Sequence, residues 1–384
     1  MKLVIAPDSF KESLDAEGVA HAIAKGIEST LADVDIHCVP VADGGEGTTE
    51  ALIAATSGQQ HTAEVTGPLG GSLNAIWGVL GHQEGVPLTA VVETAAASGL
   101  DKILPEQRDA LTASTYGTGE LILKALDQGA RRIIMGLGGS ATNDGGTGLL
   151  RALGAKFLDA AGHELAEGGA ALADLDRIDL TGFDPRLAET EFLVACDVDN
   201  PLLGERGASA IFGPQKGATP EQVQQLDDAL TRLADVSADL LGKDLRDRAG
   251  AGAAGGLGYA LVQFLDARLA PGIDLVLEAV DFHKTLEGAD LVITGEGRMD
   301  GQSLSGKTPV GVARWAKQHD LPVIALCGSI GEGAEGVHEV GIDALFSVVP
   351  GVCSLEEALA NGAENLERTG AQIGRLLSLK TIQL

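Results

Sequence analysis

Apolar residues open the chain as a short run, Leu3–Ala6, closed at once by the turn Pro7-Asp8-Ser9-Phe10-Lys11. A brief apolar run bounded by turn residues predicts a buried strand. Val19, Ile23 and Ile27 then recur at helical spacing behind Ser13, with Asp15 and Glu17 in the first turn, so a helix capped by Ser13 is expected. A second strand is expected over Asp35–Val41, ending in Ala42-Asp43-Gly44-Gly45-Glu46-Gly47-Thr48, and another helix follows to about Thr56.

The pattern changes at Ser57. His61–Thr66, Ser72–Leu80 and Leu88–Glu93 are strand-like pieces divided by glycine turns, which favours antiparallel pairing. A helix over about Gly119–Gln128 leads to a strand, Arg132–Met135, and a glycine-rich loop, Gly136–Gly148. Strands are expected at Ala155–Leu158 and Glu191–Cys196, and an amphipathic helix over about Glu221–Leu241. The composition of Ala249–Gly258 predicts a mobile run.

From Asp290 the opening alternation returns. A strand at Leu291–Thr294 is expected to break into a loop carrying Glu296, Arg298, Asp300 and Lys307, with Thr308 capping a helix from Pro309. Strands follow at Pro322–Cys327 and Ala344–Val348. Ser354 and Glu357 form a capping box ahead of one long helix whose Leu355, Leu359, Leu366, Ile373 and Leu377 share a face.

Two strands near the start and three near the end, alternating with helices, predict a flavodoxin-like five-stranded parallel sheet of order 2-1-3-4-5. Residues 1–57 and 289–384 would form it, interrupted by a second α/β domain over residues 58–288. In such a sheet, ligands bind beyond the carboxyl ends of the first and third strands, where Asp8–Lys11 and Gly295–Lys307 fall.

Composition narrows the function classes. The 384 residues carry a formal net charge of −28, which excludes a general nucleic-acid or anionic-membrane surface. An anionic ligand would therefore need local Lys and Arg or a divalent cation. Cys38, Cys196, Cys327 and Cys353 lack C-x-x-C spacing and sit beside apolar residues, as expected of reduced thiols in a cytoplasmic protein. The opening MKLVIAPDSF is too short in its apolar run for a signal peptide, and no stretch approaches the roughly 20 apolar residues of a membrane span.

Two motifs suggest nucleotide chemistry, and each has the wrong surroundings. Gly301–Thr308 satisfies G-x-x-x-x-G-K-[ST], but six residues separate it from its strand, and Pro309 places Lys307 outside the helix. Gly136–Ala141 satisfies G-x-G-x-x-[G/A] with Asp159 following, but Gly145, Gly146 and Gly148 would weaken the crossover helix that a dinucleotide fold needs. That loop is better suited to holding phosphate through amides and Ser140, Thr142 and Asn143. Asp43, beside Gly44-Gly45, is either a cap, a general base or an Mg²⁺ ligand, with Glu46 and Thr48 near the next helix start. Asp197 and Asp199 are either turn formers or hard-cation ligands. Lys11, Arg298 and Lys307 are loop cations suited to an anion. The eight His do not cluster, and no G-x-S-x-G elbow occurs.

Taken together, Ala6–Lys11, Pro40–Thr48, Gly136–Gly146, Cys196–Gly204 and Gly295–Ala313 resemble the bacterial type I glycerate kinase family, in order and across nearly the whole chain. Glu12 stands where the family pattern leads one to expect Gly. The resemblance implies ATP-dependent, Mg²⁺-assisted phosphorylation of D-glycerate in glyoxylate, glycolate or aldarate catabolism. The 2-phosphate is the expected product, with the 3-phosphate left open. On this reading glycerate lies in a cleft between the domains, bound by Asp8, Ser9, Lys11 and Arg298. Asp43, Asp197 and Lys11 are the catalytic candidates. Gly138, Gly139, Ser140, Asn143, Asp144 and Lys307 would hold ATP phosphates, and Asp197 with Glu296 would hold Mg²⁺. The expected partners are small molecules, with a homo-oligomer left open. The rival readings are a nicotinamide-dependent oxidoreductase and a non-catalytic two-lobed binding protein.

Overall fold

The computed structural model describes residues 1–45, 47–82 and 84–379. Glu46, expected beside a helix start, lies outside the described residues. The chain opens with β1 (Lys2–Ile5), α1 (Ala16–Glu28), β2 (Asp35–Cys38) and α2 (Thr48–Thr56). Next come β3 (Gln59–Thr66), β4 (Ser72–Val79), β5 (Thr89–Glu93), α3 (Thr94–Ser98), α4 (Tyr116–Asp127), β6 (Arg132–Gly136), α5 (Thr147–Ala152), β7 (Lys156–Leu158), β8 (Arg177–Asp179) and β9 (Glu191–Ala195). They are followed by α6 (Ala208–Phe212), α7 (Pro220–Leu241), α8 (Ala253–Phe264), β10 (Arg268–Ala270), α9 (Gly272–Ala279) and α10 (Phe282–Leu286). The chain closes with β11 (Leu291–Met299), α11 (Thr308–Lys317), β12 (Val323–Ile330), β13 (Ala344–Ser347), α12 (Leu355–Ala360) and α13 (Gly362–Leu377).

These elements form two compact units. The first comprises Met1–Asp43, Glu50–Ser57 and the chain from Ile273 onward; the second comprises Gly44–Thr49 and Gly58–Gly272. The first unit holds a five-stranded sheet of order β13-β12-β11-β1-β2. Every pairing in it is parallel, so the order 2-1-3-4-5 is the one the alternation predicted. Its central strands are apolar and buried, as a sheet covered on both faces requires. Helices α1 and α13 approach so closely that a Cβ on Gly26 would lie 2.1 Å from the Glu367 carbonyl oxygen.

The second unit is built on a six-stranded sheet of order β10-β9-β6-β5-β4-β3. β3, β4 and β5 pair antiparallel, as their glycine turns predicted, while β5, β6, β9 and β10 are parallel. β7 and β8 form a separate antiparallel pair.

Several expectations are corrected here. β11 does not end at Thr294: Gly295–Met299 continue it, paired with Leu326–Ile330 of β12. The glycines that signalled a turn instead permit close strand approach, since a Cβ on Gly295 would lie 2.2 Å from the Leu326 carbonyl oxygen. α1 is capped by Asp15, whose carboxylate accepts from the Gly18 N–H, whereas the Ser13 hydroxyl donates to the Leu359 carbonyl. Lys307, not Thr308, is the N-cap of α11. The final helix is interrupted at Asn361, although Ser354 and Glu357 do form the capping box; Leu355 is exposed rather than part of the buried face. The run predicted to be mobile is mostly buried, with Gly255 accepting from the Gly145 N–H. Among the described residues, no helix is long and apolar enough to cross a membrane.

Candidate active site

At the carboxyl end of β1, the Asp8 N–H donates to the Gly295 carbonyl of β11 at 2.9 Å, fixing the following turn beside the neighbouring strand. Asp8 accepts from the Ser9 N–H at 2.7 Å and, through its other oxygen, from the Thr308 hydroxyl at 2.6 Å. Burial pushes its carboxyl up to about 6 against the pull of the Thr308 hydrogen bond, and the nearby charge of Asp43 adds to the rise. Glu296 is buried on β11, accepts from the Ser303 hydroxyl at 2.5 Å, and has its other oxygen 4.0 Å from Lys307 Nζ. Burial raises its carboxyl too, with Asp8 contributing. Asp8, Asp43 and Glu296 thus form one interacting acidic group at the switch point between β1 and β11.

This geometry removes the P-loop reading. Lys307 and Thr308 face the protein's own carboxylates, and Lys307 stands before the first turn of its helix. Arg298 lies two residues beyond Glu296 on the same strand and is exposed; its Nε donates to Asp300 at 3.0 Å. Lys11 is exposed and makes no ion pair among the described residues. A Cβ on Gly297 would lie 3.5 Å from the Phe10 Cα and 3.6 Å from the Lys11 nitrogen, so the Phe10–Lys11 turn lies against the Glu296–Arg298 segment. Glu12 closes that turn with φ of 64°, the left-handed region that favours glycine.

In the second unit, the glycine loop leaves the end of β6. Gly138 and Gly139 are exposed, and the amides of Gly138, Gly139 and Ser140 donate to no backbone acceptor among the described residues. Ala141 onward is buried. Ser140 Oγ accepts from Lys216 Nζ at 2.9 Å, and the same ammonium donates to the Thr142 carbonyl at 2.6 Å. Lys216 is only 1% exposed; burial pulls it down to about 7, opposed by the charge of Asp144. Sequence reasoning missed this lysine.

Two of the predicted phosphate ligands are turned inward. Asp144 is fully buried and accepts from the Thr115 N–H and hydroxyl and from the amides of Gly146 and Gly148. It therefore ties the loop to Thr115 and has no face left for a phosphate. Asn143 is also fully buried; its amide donates to the Ser209 hydroxyl at 2.9 Å, and its carbonyl oxygen has no partner.

The end of β9 lies beside this loop, because Gly136 and Ala195 are register partners. Gly44 packs between them: a Cβ there would lie 2.3 Å from that of Ala195, and one on Gly136 would lie 2.6 Å from the Gly44 carbonyl. Close approach is thus what Gly44 provides. Asp197 is exposed after β9 and accepts from the Gly272 N–H at 3.1 Å. Asp199 is paired with Arg206 at 2.9 Å.

α5 spans only Thr147–Ala152, too short for a crossover helix, and Asp159 caps a turn through the Ala161 and His163 amides. The dinucleotide motif is therefore not a dinucleotide site. What the fold presents is an α/β enzyme framework with carboxylates and cations at the switch point of one sheet and open glycine amides at the strand ends of another.

The chain belongs to the glycerate kinase family, whose sequence profile matches residues 3–378. It is 52% identical over 379 residues to the glycerate kinase of Bacillus subtilis, covering 99% of this chain and 98% of that one. With the glycerate 2-kinase of Escherichia coli it shares 51% identity, again over 99% and 98% of the two chains. The crystal structure of a protein assigned as glycerate kinase 2 from Salmonella typhimurium superposes with a TM-score of 0.90 at 50% identity, covering 98% of each chain. The protein is a kinase enzyme, and the oxidoreductase and binding-protein readings fall away.

Proposed function

We propose that this kinase transfers the γ-phosphoryl group of ATP to the 2-hydroxyl of D-glycerate, in the catabolism of glyoxylate, glycolate or aldaric acids. The observation that carries the chemistry is the set at the switch point of the first sheet: exposed cations, Lys11 and Arg298, beside interacting carboxylates. A small hydroxy acid needs this pairing, cations for its carboxylate and an acid–base group for its hydroxyl. The 2-position is favoured by the likeness to the Escherichia coli glycerate 2-kinase.

Arg298 and Lys11 hold the substrate carboxylate, with Asp8 and Ser9 beside it. Asp43 orients the attacking hydroxyl and accepts its proton as the new O–P bond forms and the bond to ADP breaks. The Gly138–Ser140 amides hold ATP phosphates. Lys307 already faces Glu296 and serves best to offset that carboxylate's charge.

Mg²⁺ in phosphoryl-transfer sites is held by one or two carboxylates together with substrate phosphates. Among the described residues there is no cluster of three or more ligating side chains, so that sparse mode is the one available. Asp197, exposed at the end of β9, fits it. Glu296 fits poorly, since Ser303 occupies one oxygen and the Lys307 ammonium lies 4.0 Å from the other. Bound there, Mg²⁺ would offset phosphate charge.

A coupled ADP-release assay with D-glycerate, L-glycerate and no acceptor tests the reading, and phosphorus NMR of the product identifies the hydroxyl. Turnover only with the D-isomer and a 2-phosphate product are expected. ADP release unaffected by acceptor would refute it. Asp43→Asn is expected to lower kcat by about 10²–10⁴-fold; near-normal turnover in a folded variant removes Asp43 from catalysis. Arg298→Ala is expected to raise the glycerate KM by about tenfold or more. An unchanged KM would put the carboxylate clamp elsewhere.

A further inference from the structure

Lys216 has no role in the reading above, yet it is a lysine only 1% exposed in the second unit. An ammonium withdrawn from water loses several kcal/mol of hydration unless a partner charge replaces it. Here the two hydrogen-bond acceptors, Ser140 Oγ and the Thr142 carbonyl, are neutral. The nearby Asp144 is fully occupied by donors from Thr115, Gly146 and Gly148, and it makes no direct bond to the lysine. Arg108, which donates to the carbonyl of the adjoining Gln215, adds a like charge to the same segment. Buried polar atoms without partners, Thr142 Oγ1 and Asn143 Oδ1, stand on the same loop. A buried lysine whose direct hydrogen bonds go to neutral acceptors, on a loop whose Gly138, Gly139 and Ser140 amides have no backbone acceptor among the described residues, is suited to the negative charge of a ligand.

We infer that Lys216 is the buried positive charge of the nucleotide phosphate site, a positioning residue that fixes Ser140 and sets a cation behind the Gly138–Ser140 amides. Because Ser140 Oγ accepts from the ammonium, its own hydrogen is left to donate to a phosphate oxygen. The inference rests on the reading of this loop as the phosphate site. It assigns the anion's compensation to a residue outside the glycine motif, 76 positions further along the chain.

The test compares wild type with Lys216→Met and Ser140→Ala in ADP binding by calorimetry, thermal stability, and KM for ATP and glycerate. Lys216→Met is expected to melt close to wild type near pH 8, where the lysine is mostly neutral and the methionine side chain fills its space. It should bind ADP about 10–100-fold more weakly, with the glycerate KM unchanged. A lower melting point with unchanged ADP affinity would make Lys216 a structural crosslink and overturn the inference. Weaker ADP binding in Ser140→Ala but not in Lys216→Met would sink the lysine alone; full ADP affinity in both would sink the loop reading itself.

A measurement on wild type covers the case in which Lys216→Met does not fold. The lysine stands at about 7 in the free protein, so near pH 8 it is mostly neutral and must regain a proton when an anion docks. Calorimetry of ADP binding in two buffers of different ionisation enthalpy should then show uptake approaching one proton. Binding without proton uptake would overturn the inference.

Discussion

Asp8 shows how a single buried carboxyl makes stability depend on pH. Its carboxyl stands at about 6, above the ordinary 3.8, because it is buried near Asp43. The folded protein therefore holds this proton more tightly than the unfolded chain does. The resulting stabilisation is complete below 3.8 and is lost as pH rises through 6, so near neutral pH the ionised group is a burden. Asp8→Asn removes that burden. It is expected to raise stability by about 1–2 kcal/mol near pH 7.5, with the gain vanishing near pH 4, while turnover falls. Thermal melts across that range check it, and a variant melting below wild type at the higher pH would contradict the sign. Glu12 offers a second case. Its φ of 64° strains a residue with a Cβ, so Glu12→Gly should stabilise by about 1 kcal/mol in urea denaturation; a loss of stability would mean that its side chain holds the turn. Glycine, which the resemblance leads one to expect at this position, fits that backbone without strain. Lys216 had no such trace in the sequence. A lone lysine in Gly-Pro-Gln-Lys-Gly-Ala carries no periodicity, and its hydrogen bonds go to a loop far away in the chain.

At the scale of elements, apolar periodicity located the strands and most helices, and it failed where glycine had two meanings. Gly295 and Gly297 signal a turn in sequence, but in space they let β11 and β12 run side by side beyond Thr294. That places Glu296 and Arg298 on a strand, where alternation points both to one face, rather than on a free loop. The same ambiguity misjudged Ala249–Gly258, where Gly255 and Gly256 pack against the Thr142–Gly145 backbone. The contact between α1 and α13 gives the principle a direct test. Gly26, Gly370 and Gly374 let the helices touch backbone to backbone, and at Gly26 the obstructing atom is a carbonyl oxygen that cannot rotate away. Gly26→Ala should therefore cost about 2–3 kcal/mol by chemical denaturation. A cost under about 0.5 kcal/mol would show that the helix pair separates freely and that the glycines are incidental.

For the whole molecule, the decisive fact is that the first unit is discontinuous in sequence. β1 pairs with β11, so Leu3 finds Leu291 as its register partner and the sheet cannot close until the last third of the chain is present. The second unit needs no such wait, because all six strands of its sheet fall between Gln59 and Ala270. The alternation of elements made the first sheet's order legible. It could not give the order of the second, where an antiparallel meander joins a parallel set and nothing local specifies the neighbour of β5. Loop-closure entropy favours the contiguous unit, which should fold first and independently. A fragment of residues 58–272 is therefore expected to melt cooperatively by circular dichroism. It should melt below the intact protein, because the fragment lacks Gly44–Thr49, which belong to the same unit. With the Gly138–Ser140 amides and Lys216 present, it should still bind ADP; without Asp43 and Arg298 it should transfer no phosphoryl group. A fragment that stays unfolded would show that residues 58–272 do not suffice and that the preceding chain, Gly44–Thr49 included, is required to complete the second unit.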